Sequence, residues 1–296
     1  MSVLIAYRRR ASSLHAARAS VGALYGLALG TAALIVQHPV VLVGLLGAVL
    51  LAGAACGAGR DMAHTLRVLG LPILLLTVLV NVLVSRNGLT VFARLGYFGP
   101  FGQMNLTVEA AAYGLLVGSR LLIVMLAAVL VSSTVDPDEL LRSLRRVYPR
   151  SALAATVATR LVPVLARDAE RLADAQRCRG DGGVAGVRAR LGILRAVVAG
   201  SLDRSLDVAA TLEVRGYGSG GRPARPSRAR SRHDLNFALA AAATLAAAIG
   251  TRVSGMASFD VYPLMRLPLG PAALLSALLV PVLALAPFLD RRGVAL

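Results

Sequence analysis

Lysine is missing from this 296-residue chain: all 32 of its basic residues are arginine. Without lysine no Schiff base can form on the chain. A Walker-type phosphate loop, whose lysine reaches the phosphates, is excluded as well. Tryptophan is also absent and aromatics reach only 4%, so an interfacial aromatic belt can only be sparse. The two cysteines, Cys56 and Cys178, fall in different regions without metal-ligand spacing, so neither a disulfide framework nor a zinc site is supported. The four histidines, His15, His38, His64 and His233, are scattered, and no acidic pair faces a cavity within a span. Membrane enzymes such as lipid-phosphate transferases need clustered aspartates for magnesium or a His/Asp set. No catalytic residue and no metal or cofactor site is therefore assigned.

Charge is scarce and clustered. Charged residues make up 16% of the chain and hydrophobic ones 56%, with a mean hydropathy of +0.69. A soluble domain carries about 25% charged residues. The clustering leaves long apolar runs, and about 20 apolar residues cross a bilayer as a helix. Candidate spans are roughly 20–37, 39–58, 67–84, 108–133, 235–251 and 271–289, the fifth being short and alanine-rich. The expected fold is an all-α integral membrane protein with about six transmembrane helices and a helical cytoplasmic domain. Its divisions are 1–133 for spans one to four, 134–234 for the cytoplasmic part, and 235–296 for spans five and six. Arg8, Arg9 and Arg10 precede the first run without a small-residue cleavage site after a short apolar core. That pattern reads as an uncleaved first span, not a signal peptide.

The formal net charge of +17 would suggest nucleic acid in a soluble protein, but basic cytoplasmic loops explain it in a membrane chain. With the N-terminus inside, the internal segments hold Arg8, Arg9, Arg10, Arg18, Arg60, Arg291, Arg292 and 19 arginines of the stretch 134–234. The outer loops keep Arg86, Arg94, Arg252 and Arg266. Positive charge stays inside, so a multi-pass chain with both termini cytoplasmic is expected. The basic linker Arg222 to Arg232 faces anionic membrane lipid in this reading, and nucleic acid is not an expected partner.

Two polar residues fall within spans, Arg120 near the middle of the fourth and Asn81 near the end of the third. An intramembrane charge marks either a functional site or a structural pairing inside the bundle. Glu109 lies about three turns from Arg120 and is no obvious partner for it. Gly22, Gly26 and Gly30 recur every four positions, which suits close backbone approach of the first span. For Gly53 with Gly57, and Gly114 with Gly118, the same spacing leaves packing and mere composition both open.

The polar stretch begins with Asp136-Pro137-Asp138-Glu139, a helix cap, a first-turn proline and an approximate capping box. A short helix ending around Tyr148-Pro149 is expected, followed by a second from about Ser151 to Cys178 with a possible bend at Pro163, stopped by Gly180. A third runs from about Val187 to Arg215 and stops at Gly216. Its Leu191, Leu194, Val198, Leu202, Leu206, Ala209 and Leu212 recur at three or four residues, the mark of an amphipathic helix. Both long helices end in Arg-Gly, Arg179-Gly180 and Arg215-Gly216, which lie 36 positions apart. An arginine in the last turn with a glycine beyond it is also an ordinary helix cap.

The ordered pair of motifs resembles the transmembrane T component of energy-coupling factor transporters, the EcfT/CbiQ family. The residues that carry the resemblance are Arg160-Leu161-Val162-Pro163, Ala175-Gln176-Arg177-Cys178-Arg179-Gly180 and Glu213-Val214-Arg215-Gly216-Tyr217-Gly218. It covers about residues 134–222, and the flanking spans by hydropathy only. Cys178 and Val214 stand where the family pattern has alanine. The resemblance implies a non-catalytic subunit of the prokaryotic cytoplasmic membrane. Its two coupling helices would dock on two ABC ATPase subunits, which use the ATP, while the chain binds no cofactor itself. Arg179 and Arg215 would pair with acidic groups there, and Gly180 and Gly216 would turn the chain. A separate membrane substrate-binding S component would select a vitamin or transition-metal ion. The alternative is a permease or scaffold subunit of another ABC-type transporter. Glu109-Ala110-Ala111 superficially resembles an importer permease docking motif, but it enters a span from the outer side and no Leu-Pro follows at the required distance.

Overall fold

The computed structural model describes residues 10, 12–85, 90–97, 103–144, 149–178, 186–216, 231–255, 259 and 270–290. Two compact units divide the chain, one formed by Met1–Leu140 with Arg230–Leu296 and the other by Leu141–Ala229. In the first unit, each of the six expected spans coincides with an apolar helix. Four are long and apolar enough to cross a membrane: Gly59–Val84, Val108–Thr134, Arg232–Val253 and Pro271–Phe288. Two more, Ala19–Ile35 and Pro39–Ala55, have 17 residues each, at the short end of what a bilayer requires.

After a single turn, α1 (Ser13–Ala16), the first unit is built from α2 (Ala19–Ile35), α3 (Pro39–Ala55), α4 (Gly59–Thr65) and α5 (Leu71–Val84). It continues with α6 (Val108–Thr134) and, after the second unit, α10 (Arg232–Val253) and α11 (Pro271–Leu285). The third span starts earlier than its hydropathy suggests. Helix α4 runs into a π-helical turn, Leu66–Gly70, and then into α5. Pro72 stands in the first turn of α5 and has no N–H to give. The ladder widens just before it, with the Leu71 N–H bonded five residues back to Leu66.

Helix α6 is the hub, packed on α2, α3 and α5, while α2 pairs with α10, α3 with α11, and α10 with α11. Tyr25, Leu29, Leu42, Leu45, Ile123, Leu126, Leu130 and Phe237 are fully buried among these helices. Glycines set how near the helices come. Gly26 faces Val131, and a Cβ at Gly114 would lie 2.8 Å from the Val78 Cα on α5. A Cβ at Gly44 would lie 2.9 Å from the Ala277 carbonyl oxygen on α11. The glycine spacing in the fourth span, whose meaning the sequence leaves open, is therefore a packing feature.

Polar contacts fasten one end of this unit. Asp234 completes a capping box with Ser231 on α10, accepts the backbone N–H of Arg18 at 2.7 Å, and pairs with the Arg18 guanidinium at 3.2 Å. The Tyr25 hydroxyl donates to the Ala284 carbonyl at 2.6 Å, and its ring meets Phe237 edge-on at 5.2 Å. At the other end of α6 stands an antiparallel hairpin, β1 (Val91–Tyr97) and β2 (Gln103–Thr107), where the sequence suggests no strand. The buried Glu109 carboxylate accepts the Thr90 N–H at 3.0 Å and the Thr90 hydroxyl at 2.5 Å, closing the hairpin onto the first turn of α6.

Gly114→Val is expected to cost about 1–3 kcal/mol by overpacking against the α5 backbone. Gly47→Val, where nothing lies within 4 Å, should cost far less. Thermal unfolding of the two variants in the same detergent checks the difference.

Candidate coupling site

The second unit contains α8 (Pro149–Cys178) and α9 (Val187–Val214), entered through α7 (Pro137–Leu144). The expected cap of α7 is present, with the Asp138 N–H donating to Asp136 Oδ1 at 2.9 Å. Two acids in its first turn oppose the positive end of the helix dipole. Helix α8 runs on through Pro163, and the Arg167 Nε–H donates to the Pro163 carbonyl at 3.1 Å. Residues 145–148, between α7 and α8, are outside the described residues.

Helices α8 and α9 pack on one another. Asp168 of α8 pairs with Arg204 of α9 at 3.0 Å, both side chains being partly exposed. Toward the end of α8, the Gln176 side chain lies against Gly192, early in α9. From Gly192 to Arg215 the helix advances about 35 Å at ~1.5 Å per residue. The last turns of α8 and of α9 are therefore held far apart, at opposite ends of α9.

The expected site residues fall at these two ends. Cys178 is the last residue of α8 and is exposed, as are Arg160, Pro163 and Ala175 along it, while Gln176 is half-buried. Arg179 and Gly180 lie outside the described residues, as does Tyr217. Val214 ends α9 at 90% exposure, with Glu213 exposed beside it. Arg215 is the exposed cap residue, its backbone N–H donating to the Thr211 carbonyl at 3.2 Å. Gly216 follows with φ +75° and its N–H on the Glu213 carbonyl at 2.8 Å. That left-handed step is the one a glycine makes without steric penalty, and it ends the helix while leaving Arg215 at the surface.

The apolar stripe of α9 is exposed among the described residues. Leu191, Leu194, Val198, Leu202 and Leu206 are 57–64% exposed. Periodicity reveals such a stripe but not what it faces. The two intramembrane residues belong to the first unit. Asn81 donates from Nδ2 to the Thr77 carbonyl of its own helix at 2.9 Å, a bond local to the span. Arg120 is half-buried, and its Nε lacks a hydrogen-bond partner. Among the described residues no group of three His, Cys, Asp or Glu could hold a metal ion.

These features describe a helical membrane protein with a separate pair of polar helices. The sequence profile of the CbiQ family, described as cobalt transport protein, matches residues 10–226. The chain belongs to this family. It is also similar to the energy-coupling factor transporter transmembrane protein EcfT of Macrococcus caseolyticus, with 24% identity over 166 residues. That likeness covers 51% of this chain and 60% of the relative's length.

Gly216→Ala is expected to destabilise the last turn of α9 by about 1 kcal/mol. Amide exchange from Thr211 to Arg215 should then speed up roughly fivefold, while amides near Gly192 keep their wild-type rates.

Proposed function

We propose that this chain is the coupling subunit of an energy-coupling factor importer, passing ATP-driven motion from two cytoplasmic ATPase subunits to a membrane substrate-binding subunit. The observation that carries the reading is the pair of helix ends at Cys178 and at Val214–Gly216, exposed and separated by most of the length of α9. One small docking pocket does not reach across about 35 Å, whereas two ATPase subunits side by side offer two grooves. The membership of the family and the likeness to EcfT support the same reading.

In the sequence an arginine stands at or next to each end, and a guanidinium gives short, charge-assisted and often bidentate bonds to carboxylates. Arg179 and Arg215 would each meet an acidic groove. Cys178 and Val214, with Ala175, Gln176, Glu213 and Tyr217 around them, would shape the contact, and Arg160 and Pro163 belong to the helix that carries the first arm. The exposed stripe from Leu191 to Leu206 is suited to an apolar partner, and a membrane-embedded substrate-binding subunit is such a partner. Substrate choice, whether a vitamin or a transition-metal ion, would then rest with that subunit. The membrane is the prokaryotic cell membrane in this reading, with both termini in the cytoplasm.

Arg179→Ala and Arg215→Ala are each expected to weaken ATPase association about tenfold or more, and the double change further. Co-purification with tagged ATPases and uptake in cells measure this. Intact binding together with wild-type uptake in the double variant would sink the proposal. The isolated chain should hydrolyse no ATP, and turnover by rigorously ATPase-free protein would contradict its non-catalytic role.

A further inference from the structure

The charges of α9 are placed unevenly about its exposed stripe. Arg188, Arg190 and Arg195 stand in the first third of the helix, while its acids, Asp203, Asp207 and Glu213, all come later. All six side chains are exposed, and the three arginines make no ion pair among the described residues. The fourth arginine of the helix, Arg204, is already paired with Asp168. Residues three and four apart are neighbours on a helix surface. Arg188 therefore adjoins Leu191, and Arg195 stands between Leu191 and Val198. Val187, 74% exposed, extends the apolar row at the same end. Of the acids only Asp203 adjoins the stripe, at its last residue, Leu206. On the reverse side, about 200° round the helix from Val198, lies Gly200, where a Cβ would meet nothing within 4 Å.

The unit that carries α9 is tethered to membrane-spanning helices on both sides, through α7 to α6 and through residues 217–231 to α10. Such tethers keep it near the bilayer surface at high effective concentration. A row of leucines edged by arginines matches the boundary between headgroups and acyl chains. The apolar side chains enter it, the arginine stems lie along the apolar surface, and the guanidinium forks reach the phosphates. Anionic headgroups supply the charge that Arg188 and Arg195 lack, and each arginine near such a surface strengthens association about fivefold.

We propose that, in the chain without its partners, the exposed stripe of α9 lies on the anionic cytoplasmic leaflet. Leu191, Leu194, Val198 and Leu202 sit among the upper acyl chains, and Arg188 and Arg195 bind lipid phosphates. The proposal goes beyond the coupling reading and takes from it only the cytoplasmic side of α9. In that reading a substrate-binding subunit covers the stripe when engaged; the lipid contact is the resting state that such a subunit displaces.

Because the chain has no tryptophan, a single introduced one reports its own surroundings. The test compares Val198→Trp with Gly200→Trp, each in the full chain reconstituted into phosphatidylglycerol vesicles that contain lipid brominated near the headgroup. Val198→Trp should lose roughly half or more of its emission to the brominated lipid and be shielded from acrylamide in the water. Gly200→Trp should show the reverse. Leu194→Trp, at a position 59% exposed, repeats the first result if Val198→Trp folds poorly. In phosphatidylcholine, or with Arg188→Gln and Arg195→Gln added, lipid quenching of Val198→Trp should fall about fivefold or more. Equal quenching at the two positions, or none at position 198, overturns the contact. Quenching indifferent to lipid charge and to both arginines overturns the part given to the headgroups. Shielding of Val198→Trp only when a membrane protein co-purifies overturns the lipid in favour of that protein. Association with tagged ATPases is measured separately, so the coupling reading and this one can fail independently.

Discussion

Helices in lipid gain nothing from hiding apolar surface, since the acyl chains are as apolar as leucine, and they must instead hold together by contact. Helix α6 meets that requirement by touching its neighbours where a side chain is missing. The α2 face offers Gly22 and Gly26 to Val135 and Val131, and α6 offers its own Gly114 and Gly118 to α5. Each approach brings many atoms into van der Waals range, small individually and large in sum. Much else follows from this hub. The register of α2 along α6 sets the level of the α2–α3 turn, and α10 and α11 are placed in turn by α2 and α3.

The positions of the spans were legible because membrane helices advertise themselves through uninterrupted apolar length. Ala19–Ile35 and Pro39–Ala55 emerged as separate helices because Gln37 and His38 interrupt one long greasy run. The hairpin was not legible, since Val91–Tyr97 is short and sits between two much stronger hydropathy signals. What fixes it is a tertiary bond, from Thr90 to the buried Glu109, which no local pattern announces. The early start of the third span was hidden in the same way. Arg60 and Asp61 read as loop, yet they lie on the first turn of a helix that continues to Val84.

The ends of the two long polar helices were legible for a different reason. A helix stop is a local event, written in Gly216 and in the glycines that follow Cys178, and the left-handed φ of Gly216 bears out that chemistry for α9. The distance between the stops was beyond the sequence. It depends on α8 and α9 lying against each other, through Asp168 with Arg204 and Gln176 with Gly192. The exposure of the Leu191–Leu206 stripe belongs to the same category, because 3.6-residue periodicity gives a face without naming its neighbour. Arg120 shows the converse. The sequence marked it as costly, and only the structure shows it half-buried, with its Nε unpartnered among the described residues.

Helix α9 has one further mechanical property. Its 28 residues are tied by a backbone hydrogen bond at nearly every residue, and such a rod resists a change of length far more than turning. If bodies gripping its two ends draw together, the rod has little length to surrender. It must swing, carrying its exposed leucines with it. A sliding displacement in water then becomes a rotation of an apolar face, and no part of the chain has to unfold along the way.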